Sequence, residues 1–146
     1  MIMITKLKLN VSVVADEVLA ETALRHHLSA DKEPVLSRDR FEALVLMIRA
    51  SFARMCVRMM GCVVDCAFDD ELLELDVEHG PTASALTWAT ALQHALAMDV
   101  LGEALGGIDD KASEMYRRRS ADLVEGVMRD VSMSGLPGAR IVSSMF

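Results

Sequence analysis

Cys62-Val63-Val64-Asp65-Cys66-Ala67-Phe68, then Asp69-Asp70, then Glu71-Leu72-Leu73-Glu74-Leu75-Asp76-Val77-Glu78 is the stretch on which the fold turns. In its second half Leu73, Leu75 and Val77 alternate with Glu74, Asp76 and Glu78, a period of two that puts apolar side chains on one face and three carboxylates on the other. The spacing predicts a half-buried strand, and the Asp69-Asp70 break predicts a hairpin. A lone two-stranded ribbon is marginal in water. It therefore has to lean on helices, recruit a third strand or meet another subunit.

The third strand is expected at residues 2–9, where Leu7 and Leu9 alternate with Lys6 and Lys8. Beside the ribbon, those lysines would face its acidic side, a favourable cross-strand pairing. The rest of the chain reads as helices. Asn10 or Ser12 caps a first helix to about Leu28, with Val11, Val14, Val18 and Thr22 inward. Residues 29–37 read as a loop, and Ser37 caps a second helix whose stripe is Phe41, Leu44, Val45, Ile48, Phe52, Met55 and Met59. Gly61 ends it. Thr82 or Ser84 starts a third helix that is apolar almost all round and hence central, stopped by Gly106 and Gly107. Asp109 or Asp110 opens a fourth, peripheral helix to about Met133, with Ala112, Tyr116, Leu123, Val127 and Val131 inward. The fold class is mostly α: a four-helix bundle-like domain over residues 1–133, with a short N-terminal strand and a β-hairpin insertion at 62–78. Residues 134–146 form a C-terminal arm ending on Ile141, Val142, Met145 and Phe146.

Composition bounds the function. The 146 residues suffice for one domain with its own core. That core is Ala, Val, Leu and Met, since 52% of residues are apolar, only 4% aromatic, and 11 are Met. A net charge of −7 excludes the broad basic field of a general nucleic-acid binder. The three cysteines Cys56, Cys62 and Cys66 are odd in number and have no zinc-site spacing, so they read as reduced structural thiols. No charged leader and cleavage site open the chain, which reads as cytoplasmic on synthesis. The stretch 83–105 is long enough to span a bilayer but carries Gln93, His94, Asp99 and Glu103, so it reads as a buried soluble helix.

No motif declares a reaction. His26 and His27 suit the negative end of the first helix, and His94 reads as a hydrogen-bonded core or interface residue. Asp65, Asp69, Asp70, Glu71, Glu74, Asp76 and Glu78 lack the ligand rhythm and glycine of a calcium loop. Arg117, Arg118 and Arg119 fan over about 200° of a helix, so they cannot together grip one strand of phosphates; they read as a solvated face or as partners for acidic neighbours. Phosphate loops, a nucleophile elbow and metalloprotease motifs are absent. Catalytic, cofactor and metal residues are accordingly assigned to none.

The order of parts runs from the Lys-rich strand through Val14-Ala-Asp-Glu-Val18, Ser37-Arg-Asp-Arg-Phe41, the acidic ribbon and the apolar helix. It ends in Ser113-Glu-Met-Tyr-Arg117 and Asp122-Leu-Val-Glu-Gly-Val-Met-Arg-Asp130. This layout resembles small proteins encoded among the virion genes of tailed phages and prophages of gut bacteria, and more broadly head-tail connector or neck proteins. The resemblance spans roughly residues 1–133 in order and spacing. It implies a non-enzymatic structural subunit of a phage or phage-tail-like particle, forming a homo-oligomeric ring beside portal or tail components, with no membrane and no specific nucleic-acid recognition. The contact residues expected are Leu73, Glu74, Leu75, Asp76 and Val77 of the ribbon, Arg117, Arg118 and Arg119, and Ile141 and Phe146 of the arm. The alternatives are a small helical adaptor or regulator acting as a dimer, and a small enzyme with a cryptic carboxylate or thiol site.

Overall fold

A computed structural model describes residues 2–29, 41–81 and 84–134, with side chains in the first helix up to residue 25. The elements in order are β1 (Met3–Asn10), α1 (Val11–Ser29), α2 (Phe41–Arg58), β2 (Val63–Phe68), β3 (Leu72–His79), α3 (Ala85–Leu105) and α4 (Asp110–Met133). The chain is mostly helical with one small sheet, as its patterning predicts. The expected Ser37 cap, the 29–37 loop, a helix start at Thr82, the side chains of His26 and His27, and the arm with Ile141 and Phe146 lie outside the described residues.

The third strand is where the alternation of residues 2–9 places it. The sheet is antiparallel in the order β1-β3-β2, so the acidic strand β3 is central. Leu7 lies opposite Leu75 and Leu9 opposite Leu73 on the inner face; Lys6 lies opposite Asp76 and Lys8 opposite Glu74 on the outer one. Lys6 Nζ sits 3.2 Å from Asp76 and 3.4 Å from Glu74. On the other side β2 pairs with β3 through a register shift between Val63 and Asp65, a bulge that leaves Val64 unmatched. The hairpin turn is held by Asp69, whose Oδ1 accepts from the backbone N–H of Glu71 and Leu72, each at 2.8 Å.

β1 passes into α1 without a loop. Asn10 ends the strand and caps the helix, its Oδ1 accepting from Ser12 N–H at 2.9 Å and from the Ser12 hydroxyl at 2.7 Å. The inner stripe Val11, Val14, Val18 and Thr22 is buried as patterned. α2 buries Leu44, Val45, Ile48, Phe52 and Met55 with Met59 just beyond it, but Phe41 is exposed at the start of the described helix.

α3 is central: it packs against the three other helices and β1. Its end is built on glycines. Gly107 adopts φ +83°, a conformation strained for any residue with a Cβ. Asp109 caps α4, its side chain accepting from Ala112 N–H at 3.2 Å, and Asp110 accepts from Gly107 N–H at 2.9 Å. The two helices then close tightly, with the Ser113 hydroxyl donating to the Gly102 carbonyl at 2.5 Å and the Ser120 hydroxyl to the Ala95 carbonyl at 2.7 Å. A Cβ on Gly102 would lie 2.6 Å from Arg117 Cγ. On α4, Ser113, Ser120 and Val124 share the buried face with Ala112, Tyr116, Val127 and Val131, while Leu123 is half-buried.

Candidate contact surface

The two strands of the hairpin have opposite fates. Leu73, Leu75 and Val77, expected to meet a neighbour, are 0–1% exposed inside this chain's own core. The reason is topological: β1 takes one edge of β3, β2 takes the other, and the helices cover its apolar face. Glu74 and Asp76 are likewise engaged, by Lys6. What the hairpin offers outward is β2 and the turn.

Every residue of β2 after Val63 is exposed, including Val64 at 52% and Phe68 at 47%. Its second edge has no strand partner among the described residues. Beside it runs an open apolar groove of about 400 Å³, walled by Ala53, Val57 and Met60 of the α2 side and by Val64, Cys66 and Phe68. Phe68 packs edge-on against Phe52 and lies under the Arg49 guanidinium, 4.7 Å from the ring centre; Arg49 also reaches Asp70 at 3.0 Å.

α2 carries a second stripe that sequence reading overlooked. Leu46, Ala50, Ala53, Val57 and Met60 recur at alternating steps of four and three, the seam spacing of a helix meeting another helix, and all are exposed. The signal was present in the spacing. It was masked because the buried stripe beside it leaves α2 apolar over most of its circumference.

The three arginines separate as their spacing requires. Arg118 pairs with Glu114 one turn back at 3.2 Å, and with Arg119 it borders a shallow basin beside Lys111 and Asp122. Arg117 turns the other way, over the α2–α3 side, where it lines a cleft of about 330 Å³ with Arg54, Arg58, Asp99 and Glu103. There Arg54 Nη2 donates to Asp99 at 2.7 Å and to Glu103 at 2.6 Å, and the Ser51 hydroxyl donates to Asp99 at 2.6 Å. The hydrogen bond that Arg54 donates to Asp99 leads the effects that hold its guanidinium above its ordinary pKa. Arg54 and Arg58 on one helix, and Asp99 and Glu103 on another, are both one turn apart, a pattern readable from sequence but not weighed there.

His79 and Cys56 are built into the interior, while His94 and Cys66 lie at the surface. His79 is buried, its Nδ1 donating to the Gly80 carbonyl at 2.6 Å, which leaves Nε2 to accept from the Thr5 hydroxyl at 2.5 Å. Its ring stands edge-on to Trp88, whose indole N–H donates to Asp130 at 2.6 Å. His94, expected in the core or an interface, is 47% exposed at its side chain and pairs with Glu17. Cys56 is buried, Cys62 half-buried and Cys66 exposed. Burial first, then interaction with Cys66, pushes the Cys56 thiol up to about 12, far from a reactive thiolate. Among the described residues, no group of three or more His, Cys, Asp and Glu side chains gathers to hold a metal ion. Nor is any described helix long and apolar enough to cross a membrane.

Comparison with protein-family models, with curated proteins and with solved structures finds no match to the chain. The geometry alone bears on what it does.

Proposed function

We propose that this protein is a non-enzymatic structural subunit that works through contacts between copies of itself and with neighbouring proteins. The observation that carries the reading is the open groove between β2 and α2, where a strand edge without a partner among the described residues and a seam-spaced apolar stripe lie side by side on the surface. Natural sheets blunt or cover such edges. Apolar surface of this kind marks an interaction site. The layout of helices and hairpin, and its resemblance to head-tail connector proteins, supports a ring-forming neck component of a phage or phage-tail-like particle, with portal or tail components as its neighbours. A subunit of this kind is made in the cytoplasm and ends in the virion.

A second reading has one observation behind it. The stripe from Leu46 to Met60 is self-complementary in the manner of a helix seam, and two copies joined α2 to α2 would make the compact dimer of an adaptor or regulator. Light scattering and negative-stain microscopy separate the two readings. A ring, alone or on a portal partner, is expected of the first, and a dimer that never enters particles of the second. Replacing Val57 and Val64 with Glu is expected to yield monomers with an unchanged circular dichroism spectrum. A wild-type chain that stays monomeric at every concentration and is absent from assembled particles sinks the proposal.

A further inference from the structure

Charge is distributed unevenly over this molecule, and the two extremes are opposite in sign. At one extreme the hairpin projects Asp65, Asp69, Asp70 and Glu71, all exposed. Asp69 is occupied by the turn and Asp70 by Arg49, but Glu71 has no side-chain partner among the described residues, and Asp65 accepts only the N–H of Cys66. At the other extreme is the α2–α3–α4 cleft. Its carboxylates are spent: Asp99 and Glu103 both bind Arg54. Arg58 and Arg117, from two different helices, line the same cleft, and neither has an ion-pair partner among the described residues. The chain also makes room for this arrangement, because only glycine at position 102 lets Arg117 lie across α3.

We infer that the acidic hairpin of one copy, through Asp65 on β2 and Glu71 at the turn, docks on the Arg58–Arg117 cleft of a second copy. The inference rests on the self-associating subunit proposed above and supplies its charged half. Donor and receiver are different patches of one chain, so the contact is head-to-tail, the kind that closes into a ring when its rotation allows. Charge complementarity argues for the occupant: in a chain of net charge −7, unneutralised arginines on neighbouring helices meet the chain's own surplus carboxylates. Guanidinium groups suit this task because they bind carboxylates through two parallel hydrogen bonds. The apolar groove behind the tip would be drawn against the neighbour in the same contact, excluding water from the ion pairs.

The test is a charge-swap experiment on the full-length chain by analytical ultracentrifugation. One variant carries Arg58→Glu and Arg117→Glu, the other Asp65→Lys and Glu71→Lys; all four positions are exposed, and circular dichroism melts check that each variant folds. Each variant alone is expected to associate at least roughly tenfold more weakly than wild type, the low end of close charge-pair couplings. An equimolar mixture is expected to regain association, since each copy then presents what the other lacks. Phosphate at matched ionic strength serves as a control for nonspecific anion effects and should leave the mixture's recovery unchanged. Wild-type association by the Arg58→Glu, Arg117→Glu variant overturns the inference, as does a mixture of folded variants that fails to recover. Loss of association in the Val57→Glu, Val64→Glu variant but not in the charge variants would leave the groove reading standing and this one refuted. A wild type that never associates refutes both.

Discussion

β2 and β3 are paired strands of one hairpin, yet one is the most internal strand of the sheet and the other its outer edge. β3 alternates between buried and half-buried along all its residues, while β2 is exposed from Val64 onward. Their composition explains the difference. β3 separates its two faces cleanly, Leu or Val against Glu or Asp, so one register satisfies both the core and the solvent. β2 has a single charge, and its bulge at Val64 breaks the alternation before it can define a face. The strand with the sharper pattern builds the fold, and the strand with the blurred pattern is left exposed at the sheet's edge.

The contrast breaks most sharply by truncation. Leu75→Ala removes a side chain that is 1% exposed between Leu7 and the helices, and is expected to cost about 2–5 kcal/mol in urea unfolding. Val64→Ala, 52% exposed on the paired strand, is expected to change folding stability by no more than about 0.5 kcal/mol. Equal losses at the two positions would mean that β2 is part of the folding core.

The same contrast divides two glycines. Gly102 has Arg117 Cγ 2.6 Å and the Ser113 carbonyl 3.0 Å from where a Cβ would stand, whereas Gly126 has nothing within 4 Å. Gly102→Ala is therefore expected to destabilise by about 1–3 kcal/mol through forced separation of α3 and α4. Gly126→Ala is expected to stabilise by about 0.5–1 kcal/mol, because alanine costs less backbone entropy in a helix interior. Thermal melts of the two variants should move in opposite directions.

These contrasts also show what was legible in the residues. Strong periodicity carried the fold: a strand at residues 2–9, caps narrowed to Asn10 or Ser12 and to Asp109 or Asp110, and the glycine stop at the end of α3 follow from local pattern, whereas the Leu7–Leu75 and Leu9–Leu73 register and the choice of Asn10 and Asp109 come from the structure. The exposed groove and the arginine cleft were hidden for two physical reasons. An apolar residue reads as core by default, so Leu75 and Val64 look alike until the topology gives one a second neighbouring strand. The Arg54, Arg58 and Arg117 cleft joins residues from two helices far apart in sequence, and only the α3–α4 close approach at Gly102 brings Arg117 across. Nothing in the run Arg117-Arg118-Arg119 says which of the three turns toward α2.

The thiols give a smaller and more local version of the comparison. Cys66 on β2 is exposed, Cys62 at the strand's start is half-buried, and Cys56 faces inward from α2. Burial raises the Cys62 thiol as well as Cys56, which slows both, while Cys66 is the most accessible of the three. A chromogenic disulfide reagent at mildly alkaline pH should modify Cys66 first and Cys56 last, with the order lost in denaturant. Fast labelling of Cys56 in the folded chain would show that the α2–β2 groove opens.

The smallest effect concerns how the hairpin is pinned at its tip and along its outer face, and pH separates the two. At the tip, backbone hydrogen bonds from Glu71 and Leu72 hold the Asp69 carboxyl below its ordinary value of 3.8. A depressed folded pKa stabilises fully above 3.8, and the contribution vanishes as pH falls through the folded value. Asp69→Asn keeps the turn-forming side chain and removes only the charge, so its deficit should be constant near neutrality and close at acid pH. On the outer face, hydrogen bonds to Asp76 and Glu74 raise Lys6 above 10.5. Its contribution is therefore complete below 10.5 and is lost as pH climbs through the folded value, so the deficit of Lys6→Met should close at the alkaline end instead. Both groups are solvent-exposed, and both deficits should be small and reduced by salt. Urea midpoints measured across pH for the two variants check the signs. A Lys6→Met deficit that persists unchanged in strong alkali would mean that the ion pairs to Asp76 and Glu74 are not its source, and that β3 is held to β1 by the strand ladder and its buried leucines.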